Sequence, residues 1–352
     1  MLTNKTILIT GGTGSLGKVL TRRLLSGEMG TPKKIIIFSR DEAKQHEMRV
    51  NYHNLRSPTE EVIYNNFKQL LEFRIGDIRD YWSVSAVLRG VDIVFNAAAL
   101  KQVPSCEYFP FEAVRTNIEG PENIVRAIRE NNLPVETVVG ISTDKACKPV
   151  NVMGMTKALQ ERIFIRANIE CPKTRFICVR YGNVLASRGS VIPLFHEQIN
   201  SGGPVTITTS DMTRFLLSLD QAVDTIFGAI RHARAGETYI PRVPSANVVD
   251  IAKILIGTRP VKMVVTGIRP GEKIHEILVS EEEANRTIER DPYYVILPIL
   301  PELCIQGEKQ KFLGREFSSA DNVMTPAMLT ETLTRHKLMV DEKITIDGEL
   351  LR

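Results

Sequence analysis

Short apolar runs and longer stretches with helical spacing alternate along the first half of this chain. The runs are rich in Ile and Val and predict strands buried on both faces of a parallel sheet: Lys5–Thr10, Lys34–Ser39, Glu72–Ile75, Ile93–Asn96, Thr137–Ser142 and Arg175–Arg180. The segments between them predict helices over Ser15–Ser26, most of Glu42–Gln69, Pro110–Asn131, and a helix capped by Asn151 that runs to about Ala167. This alternation predicts an α/β fold with a Rossmann-type doubly wound parallel sheet.

The pattern changes after Tyr181. A loop over 187–193 leads into a helix, and the following segments predict a strand pair over Val205–Thr208 and Met212–Ser218, a helix over Leu219–Ala233 and a strand near Thr238–Ile240. We therefore predict a dinucleotide-binding Rossmann domain over residues 1–182, to which later segments return. A smaller α+β substrate lobe is predicted over 183–300 and a C-terminal extension without clear chemistry over 301–352.

Composition narrows the class of protein. The chain has 352 residues, 43% of them apolar, and a net charge of +4, which is too small by itself to indicate nucleic-acid binding. Its five cysteines have no paired spacing, which favours a reducing compartment and gives no reason to expect a metal site. No apolar run approaches the ~18 residues of a membrane span, and no apolar signal segment precedes the first strand. We expect a cytoplasmic protein that binds neither membrane nor metal.

The first strand is followed directly by Gly11-Gly12-Thr13-Gly14-Ser15-Leu16-Gly17. Glycines at 11, 14 and 17, between a strand and a helix, let the backbone approach a pyrophosphate at the free N–H groups of the helix N-terminus. This spacing predicts a dinucleotide site that includes Thr13, Ser15 and Leu16. The alternative is a tight strand–helix turn without a ligand.

Ser39 and Arg40 occupy the end of the second strand, and Asp41 and Lys44 come just after it, where this class of site contacts the adenosine ribose. Arginine suits bidentate binding of a 2′-phosphate, so Arg40 favours NADP. Asp41 keeps NAD open, and the alternative for Arg40 is a solvated loop charge.

The ends of the third and fourth strands add further candidates. Asp77 and Ile78 follow the third strand, where an acid commonly meets the adenine, although an exposed turn aspartate fits the pattern nearly as well. Ala97, Ala98 and Ala99 follow the fourth strand, and their small side chains let a cofactor lie against the sheet. Lys101 is the first positive charge beyond them, either a ligand of cofactor or substrate or a surface lysine.

The fifth strand ends at Thr143, Asp144 and Lys145, and ligands bind at this end of open α/β sheets. Met153 and Lys157 lie four residues apart, so they share one face of the next helix. One short segment thus gathers an acid, two lysines and a strand end. The alternative is an aspartate–lysine pair that only caps and solvates the strand.

Ten motifs occur in order: TGGTGSLG, FSRDEAKQ, GDIRD, NAAALKQVPSCE, STDKA, a position-matched MxxxK, RYGNV, SRGSVIP, MTRF and RPGEKIHE. Together they resemble the extended short-chain dehydrogenase/reductases, and more narrowly the inverting UDP-N-acetylglucosamine 4,6-dehydratases of bacterial surface glycan synthesis. The resemblance covers roughly Lys5 to Pro298, and a weaker similarity extends over Phe317–Leu333.

The resemblance implies NADP chemistry on UDP-N-acetylglucosamine. A hydride leaves sugar carbon 4 and later returns to carbon 6, while carbon 5 loses a proton and regains one on the opposite face. In this reaction Asp144 would be the acid at carbon 6 and Lys145 the base at carbon 5. A lysine is a base only if burial or nearby positive charge lowers its pKa from ~10.4, and Lys157 is a candidate for that charge.

Met153 departs from the pattern of most relatives, which have tyrosine there to take the proton of the reacting hydroxyl. Methionine exchanges no proton, although some capsule-type dehydratases share it. We expect Met153 to pack against sugar or nicotinamide as an apolar filler. Lys157, Asp144 or a bound water are the candidates to deprotonate the carbon-4 hydroxyl.

The resemblance also implies a nucleotide-sugar pocket and an assembly of identical subunits, a dimer or hexamer. The residues that would line the pocket are Lys101, Lys145, Arg180, Tyr181, Asn183, Arg188, Val191, Arg214, Arg269 and Glu272. Two other functions stay open, namely a UDP-sugar 4-epimerase or reductase and a non-catalytic NADP-binding sensor.

Overall fold

The computed structural model describes residues 1–54, 61–185, 190–304 and 311–340, and the backbone of 345–346 and 349–350. Its strands are β1 Thr6–Thr10, β2 Lys34–Ser39, β3 Leu71–Ile75, β4 Ile93–Asn96, β5 Thr137–Thr143, β6 Arg175–Tyr181, β7 Val205–Ile207, β8 Thr213–Phe215, β9 Thr238–Pro241, β10 Ser245–Asn247, β11 Met263–Val265, β12 Ile277–Val279, β13 Thr287–Arg290, β14 Tyr293–Ile296, β15 Phe317–Ser318, β16 Thr345–Ile346 and β17 Glu349–Leu350. Its α-helices are α1 Ser15–Leu25, α2 Glu42–His53, α3 Glu61–Leu70, α4 Tyr81–Val87, α5 Val103–Tyr108, α6 Pro110–Val114, α7 Gly120–Glu130, α8 Val152–Glu170, α9 Val191–Asn200, α10 Leu219–His232, α11 Val248–Ile256, α12 Glu281–Ala284 and α13 Pro326–Arg335.

Among the described residues, nine strands form one large sheet in the order β13-β14-β9-β6-β5-β4-β1-β2-β3. Strands β1 to β6 are parallel and have the 3-2-1-4-5-6 order of the doubly wound fold. Strand β9 adds parallel to β6, and β14 and β13 continue the sheet antiparallel. The central strands are buried, as apolar runs predict, and the predicted α/β Rossmann-type fold is confirmed.

The predicted helix over Pro110–Asn131 is three segments in continuous helical backbone. A π-helical turn at Arg115–Glu119 separates α6 from α7. Asn117 in this turn is buried and donates from Nδ2 to the Leu100 carbonyl at 2.9 Å and to Thr156 Oγ1 at 3.0 Å. The irregular turn therefore joins the loop after β4 to α8. None of the described helices is long and apolar enough to cross a bilayer.

The predicted pairing of the two short strands after Tyr181 is wrong. Strand β7 pairs parallel with β11, and β8 pairs antiparallel with β10. Short strands take their partners from wherever apolar surface is buried, and here both partners come from later in the chain. The domain boundaries at residues 182 and 300 stay predictions.

A second apolar core lies beside the sheet and draws on distant segments. It contains Phe195 of α9, Leu255 of α11 and Leu329 and Leu333 of α13, each at most 1% exposed. The C-terminal extension thus contributes to the packing of the smaller core. Strand β15, from the same extension, pairs with β12.

Candidate active site

The glycine turn after β1 is shaped for close approach of other groups. Gly11 has a φ of +64°, and a Cβ there would lie 2.8 Å from the Ala98 backbone. Gly14 precedes α1 in extended conformation, so the first amides of the helix face outward without intrahelical partners. A Cβ at Gly17 would lie 2.5 Å from Gly12, so only glycine lets turn and helix pack this closely.

A cavity of about 270 Å³ opens beside this turn. Ten of the predicted cofactor residues line it: Gly11, Thr13, Ser39, Arg40, Asp41, Lys44, Asp77, Ile78, Ala98 and Ala99. Phe38, Gly76, Leu100 and Thr116 also line it and were not predicted. Gly14, Ser15, Leu16, Gly17, Ala97, Lys101 and Lys157 are not among the lining residues, and Lys101 is exposed on the loop after β4. The turn and the cavity together fit a dinucleotide.

The charged side chains that line this cavity differ in how firmly they are bound by other residues. Asp41 caps α2 by accepting from the Lys44 backbone at 3.0 Å, and its Oδ2 lies 2.9 Å from Lys44 Nζ, which lowers the pKa of Asp41. Asp77 is paired with Arg79 at 2.7 Å, and Arg40 Nη1 lies 3.7 Å from Asp77 Oδ2. The Arg40 side chain is 59% exposed. Asp41 is thus engaged by its own helix, while the Arg40 guanidinium extends into solvent beside the cavity.

Asp144 and Lys145 lie in a 3₁₀ turn at the end of β5, at the predicted place. Asp144 is completely buried; its Oδ1 accepts from Thr143 Oγ1 at 2.7 Å and lies 3.1 Å from Lys145 Nζ. Glu276, which ends the RPGEKIHE motif, places Oε1 at 3.2 Å from the same Nζ. Sequence reasoning missed Glu276, although its motif was noticed. The structure thus joins two carboxylates and one ammonium.

The protonation of this cluster differs from the prediction. Burial lowers the pKa of Lys145, but Asp144 and Glu276 outweigh it, so the net shift is upward. This direction is opposite to the one that a base requires, and the role of Lys157 as a perturbing charge stays a prediction. Burial raises the pKa of Asp144, and the charge of Glu276 adds to the effect. The two carboxylates therefore favour the protonated form of Lys145.

Helix α8 packs directly onto the Asp144–Lys145 turn. Asn151 caps the helix as predicted, its Oδ1 accepting from the Gly154 N–H at 2.8 Å, while its Nδ2 donates to the Gly271 carbonyl at 2.8 Å. A Cβ at Gly154 would lie 2.1 Å from the Lys145 carbonyl oxygen. Asn151 and Gly154 thus hold the Asp144–Lys145 turn against both the helix and the loop that leads to Glu276.

Lys157 and Met153 lie on α8, and both are 5% exposed. Lys157 Nζ donates to Gln160 Oε1 at 2.6 Å, and burial lowers its pKa to about 8. Met153 packs with Cys106 and Ala113 in a small apolar cluster. Met153 is therefore a packing residue in this structure, and Lys157 gives up its proton more easily than an ordinary lysine.

The predicted sugar-pocket residues have different environments. Arg180 is 2% exposed and bound to Glu161 and Glu283, so its placement in the pocket lining is wrong. Arg214 is also buried; its guanidinium donates to the carbonyls of Thr213, Lys273 and Ile274 and supports the loop before Glu276.

The remaining predicted pocket residues are spread over several parts of the structure. Tyr181 packs in the main core, and burial raises the pKa of its phenol. Asn183 Oδ1 is buried and has no hydrogen-bond partner among the described residues, and Val191 begins α9. Arg269 is exposed, and Glu272 accepts from Thr208 Oγ1 at 3.4 Å. Arg188 lies outside the described residues.

The strand order, the glycine turn and the carboxyl-end cluster define a Rossmann-type α/β protein of the extended short-chain dehydrogenase/reductase fold. Over residues 7–298 the chain matches the family described as "Polysaccharide biosynthesis protein", and it belongs to that family.

Known proteins resemble the chain over most of its length. A relative from Rickettsia conorii (strain ATCC VR-613 / Malish 7), named UDP-glucose 4-epimerase, is 43% identical over 91% of this chain and 92% of its own length. The crystal structure of Pen from Bacillus thuringiensis is 32% identical, with a TM-score of 0.84 over 96% of this chain and 100% of that one. DesIV from Streptomyces venezuelae, a dTDP-glucose 4,6-dehydratase solved with NAD and TYD, shares the fold at 21% identity, with a TM-score of 0.64 over 76% and 86%.

Proposed function

We propose that this protein is an NADP-dependent UDP-N-acetylglucosamine 4,6-dehydratase that inverts carbon 5. The observation that carries the proposal is the pairing of the completely buried Asp144 with the partly exposed Lys145, 3.1 Å apart at the carboxyl end of β5, together with Met153 in the place of a catalytic phenol. An acid and a base on adjacent residues suit removal of a proton and of water from neighbouring carbons. The product would be a UDP-2-acetamido-2,6-dideoxy-L-hexos-4-ulose.

Bound NADP would supply the redox chemistry, accepting the hydride of carbon 4 and returning it to carbon 6. Lys157, with a pKa of about 8, takes the proton of the carbon-4 hydroxyl. Lys145 removes the proton of carbon 5 next to the new ketone, and Asp144 gives its proton to the carbon-6 hydroxyl, which leaves as water. A proton then returns to carbon 5 on the opposite face, so the sugar loses one water overall.

The raised pKa of Lys145 constrains this assignment. The ammonium must lose its proton before Lys145 can act as a base, and Asp144 Oδ1 lies 3.1 Å from Nζ. Transfer of one proton from Lys145 to Asp144 produces an amine and a carboxylic acid together. The state that can react, with a neutral Lys145 and a protonated Asp144, therefore differs from the ion pair only in the position of one proton.

The main rival is a UDP-sugar 4-epimerase, which the name of the Rickettsia conorii relative favours. An epimerase needs no loss of water and leaves the mass of the sugar unchanged. Incubation with UDP-N-acetylglucosamine separates the two, since only a dehydratase gives a product lighter by one water. The proposal requires that product and an L-configured carbon 5 by NMR; unchanged mass with inversion at carbon 4 would establish the epimerase, and an untouched substrate would favour a non-catalytic sensor.

The choice of NADP rests on Arg40 and Asp41. Asp41 is occupied as a helix cap, whereas Arg40 extends beside the cavity, where a 2′-phosphate could pair with it. We expect Arg40→Ala to weaken NADP binding about tenfold and to leave NAD binding unchanged. Titration of both dinucleotides measures this, and equal weakening of both would argue against a role in selection.

We also propose an assembly of identical subunits in the cytoplasm. The exposed face of α8 carries Met155, Leu159 and Ile169, each more than 40% exposed, which is the kind of surface that a second copy would cover. The five cysteines have no paired spacing in the sequence, which supports a reducing compartment. Light scattering would distinguish a monomer from a dimer or hexamer.

A further inference from the structure

Glu276 is the member of the active-site cluster whose part in the reaction is unassigned. It directly precedes β12, is 3% exposed, and lies 3.2 Å from the Lys145 ammonium that Asp144 also contacts at 3.1 Å. Glu276 Oε2 and Asp144 Oδ2 are both buried, and neither has a hydrogen-bond partner among the described residues. Two carboxylates therefore share one ammonium, and each keeps one oxygen unengaged.

The backbone of Glu276 is held by the C-terminal extension. The Glu276 N–H donates to Ser319 Oγ at 2.9 Å, and the Ser319 N–H donates to the Glu276 carbonyl at 2.8 Å. Ser319 Oγ also lies 2.7 Å from Thr213 Oγ1, next to Arg214. Ser319 is completely buried. Two distant segments, around Ser319 and Thr213, thus restrain the backbone of Glu276, which is more restraint than a solvated charge requires.

The charges around Glu276 come from several elements. Lys145 faces it from the turn after β5, Arg214 Nε lies 3.8 Å away on β8, and Lys273 acts on it from the preceding loop. These three cations outweigh burial and lower the pKa of Glu276. Asp144 is the facing acid. Glu276 therefore holds the negative charge of the cluster, and the adjacent Asp144 is the carboxyl that binds a proton more readily.

We propose that Glu276 is a positioning residue whose negative charge sets the proton affinity of the Asp144–Lys145 pair. This inference rests on the proposed dehydratase for its catalytic consequence. A nearby negative charge stabilises a proton on both neighbours, so it keeps Asp144 an acid and Lys145 an ammonium to higher pH. Its removal lowers the pKa of both groups, and both limbs of the pH–rate profile of the pair then move to lower pH.

The test compares Glu276→Gln, which keeps the shape and removes the charge, with Glu276→Asp, which keeps the charge. In the full-length, NADP-loaded protein with UDP-N-acetylglucosamine, we expect Glu276→Gln to lower kcat at least about tenfold, to leave KM within about twofold, and to move both limbs to lower pH. Glu276→Asp should keep the limbs of the wild type. A merely structural role would reduce the maximum of the pH–rate profile without moving its limbs, and this result would overturn the proposal. Equal shifts of the limbs in both variants would overturn it too.

Two further variants keep the test decisive. Ser319→Ala loosens the restraint on Glu276 and should move the limbs in the same direction by a smaller amount. If Glu276→Gln does not fold, unmoved limbs in Ser319→Ala overturn the proposal. Glu237→Gln is the matched control, because Glu237 is a buried glutamate paired with Arg290 at the amino end of β9, whereas the cluster lies at the carboxyl end of β5. It should leave the profile unchanged.

A measurement without substrate separates this inference from the proposed function. Infrared titration follows the carbonyl stretch of a protonated, buried carboxyl, which is assigned to Asp144 by its loss in Asp144→Asn. We expect the midpoint of this titration to fall in Glu276→Gln. If the wild type dehydrates no sugar but the midpoint falls, the proposed function fails and the role of Glu276 stands. If dehydration occurs but neither midpoint nor limbs move, the role of Glu276 fails and the function stands.

Discussion

Two buried charge clusters lie on neighbouring strands of this protein and differ in how completely they are hydrogen-bonded. At the end of β6, Arg180 donates to Glu161 and Glu283 through all three guanidinium nitrogens and to the Leu278 carbonyl at 2.9 Å. Neither glutamate has an unpartnered buried oxygen among the described residues. This cluster, Arg180–Glu161–Glu283, is complete without a ligand.

The cluster after β5, Asp144–Lys145–Glu276, is incomplete. One ammonium serves two carboxylates, and each carboxylate keeps a buried oxygen without a described partner. An unsatisfied buried carboxylate oxygen costs free energy that evolution tolerates mainly where a ligand or a reaction uses it. The comparison teaches that burial of charge alone does not mark an active site. The unsatisfied carboxylate oxygens at the carboxyl end of the sheet are what make Asp144–Lys145–Glu276 the candidate active site.

The largest expected effect is on activity at the incomplete cluster. Asp144→Asn should lower kcat about a thousandfold, because an amide cannot protonate the leaving hydroxyl. Its free energy of unfolding should change by less than about 1 kcal/mol, because the replaced carboxylate is itself poorly satisfied. Product formation by mass spectrometry and urea unfolding measure the two quantities. Activity within tenfold of the wild type would remove Asp144 from the mechanism.

At the complete cluster, Arg180–Glu161–Glu283, we expect a mutation to lower the free energy of unfolding. Arg180→Met leaves Glu161 and Glu283 buried without their cation and should cost about 3–5 kcal/mol of unfolding free energy. Arg166→Met is the control, because Arg166 has a 74% exposed side chain and its loss should cost less than about 1 kcal/mol. Urea unfolding at neutral pH measures both. A stable Arg180→Met protein would show that this cluster does not support the fold.

Acid should weaken the complete cluster through Glu283. The Arg180 guanidinium outweighs burial and lowers the pKa of Glu283 from 4.5 to about 2. A lowered carboxyl pKa stabilises the folded state above pH 4.5, and this contribution, about 3 kcal/mol, is lost as the pH falls towards 2. Glu283→Gln should therefore flatten the acid side of the stability–pH curve, whereas Glu331→Gln on the exposed surface of α13 should not. Identical acid slopes in Glu283→Gln and wild type would contradict the assignment.

The smallest effect tests the packing that supports the incomplete cluster. A methyl group at Gly154 meets the Lys145 carbonyl at 2.1 Å, so Gly154→Ala should displace the turn, lower kcat about tenfold and cost about 1–3 kcal/mol. Gly203→Ala is the matched control, because no atom lies within 4 Å of the added Cβ. Kinetics and urea unfolding of the two variants give the comparison. Equal behaviour would mean that α8 does not position Lys145.

Much of the first half of the chain could be predicted because its signals are local. The strand–glycine–helix order around Gly11, the apolar run of β5 and the Asn151 cap each depend on residues a few positions apart. Burial and capping depend directly on such short segments. The hydrophobic period and the residue types were therefore enough to predict these elements. The role of Arg180 was misjudged because sequence gives no sign of its two glutamate partners.

The short strands after Tyr181 show the limit of this approach. Strands β7 and β8 have three residues each, and their partners β11 and β10 were not recognised. Glu276 was overlooked for the same reason, since nothing near it in the chain indicates contact with Lys145. Contacts between distant segments depend on the packing of the whole chain.

The sequence by itself determined the class of fold, the place of the dinucleotide turn, and the position of Asp144 and Lys145 at a strand end, because hydrophobic periodicity and backbone capping are local properties. Only the tertiary structure decided that Glu276 joins this pair, that Arg180 is sequestered, and that the pKa of Lys145 rises. Those outcomes depend on which charges folding brings within about 4 Å of each other. In the low dielectric of the interior, each of these charges interacts strongly and shifts the pKa of its neighbours.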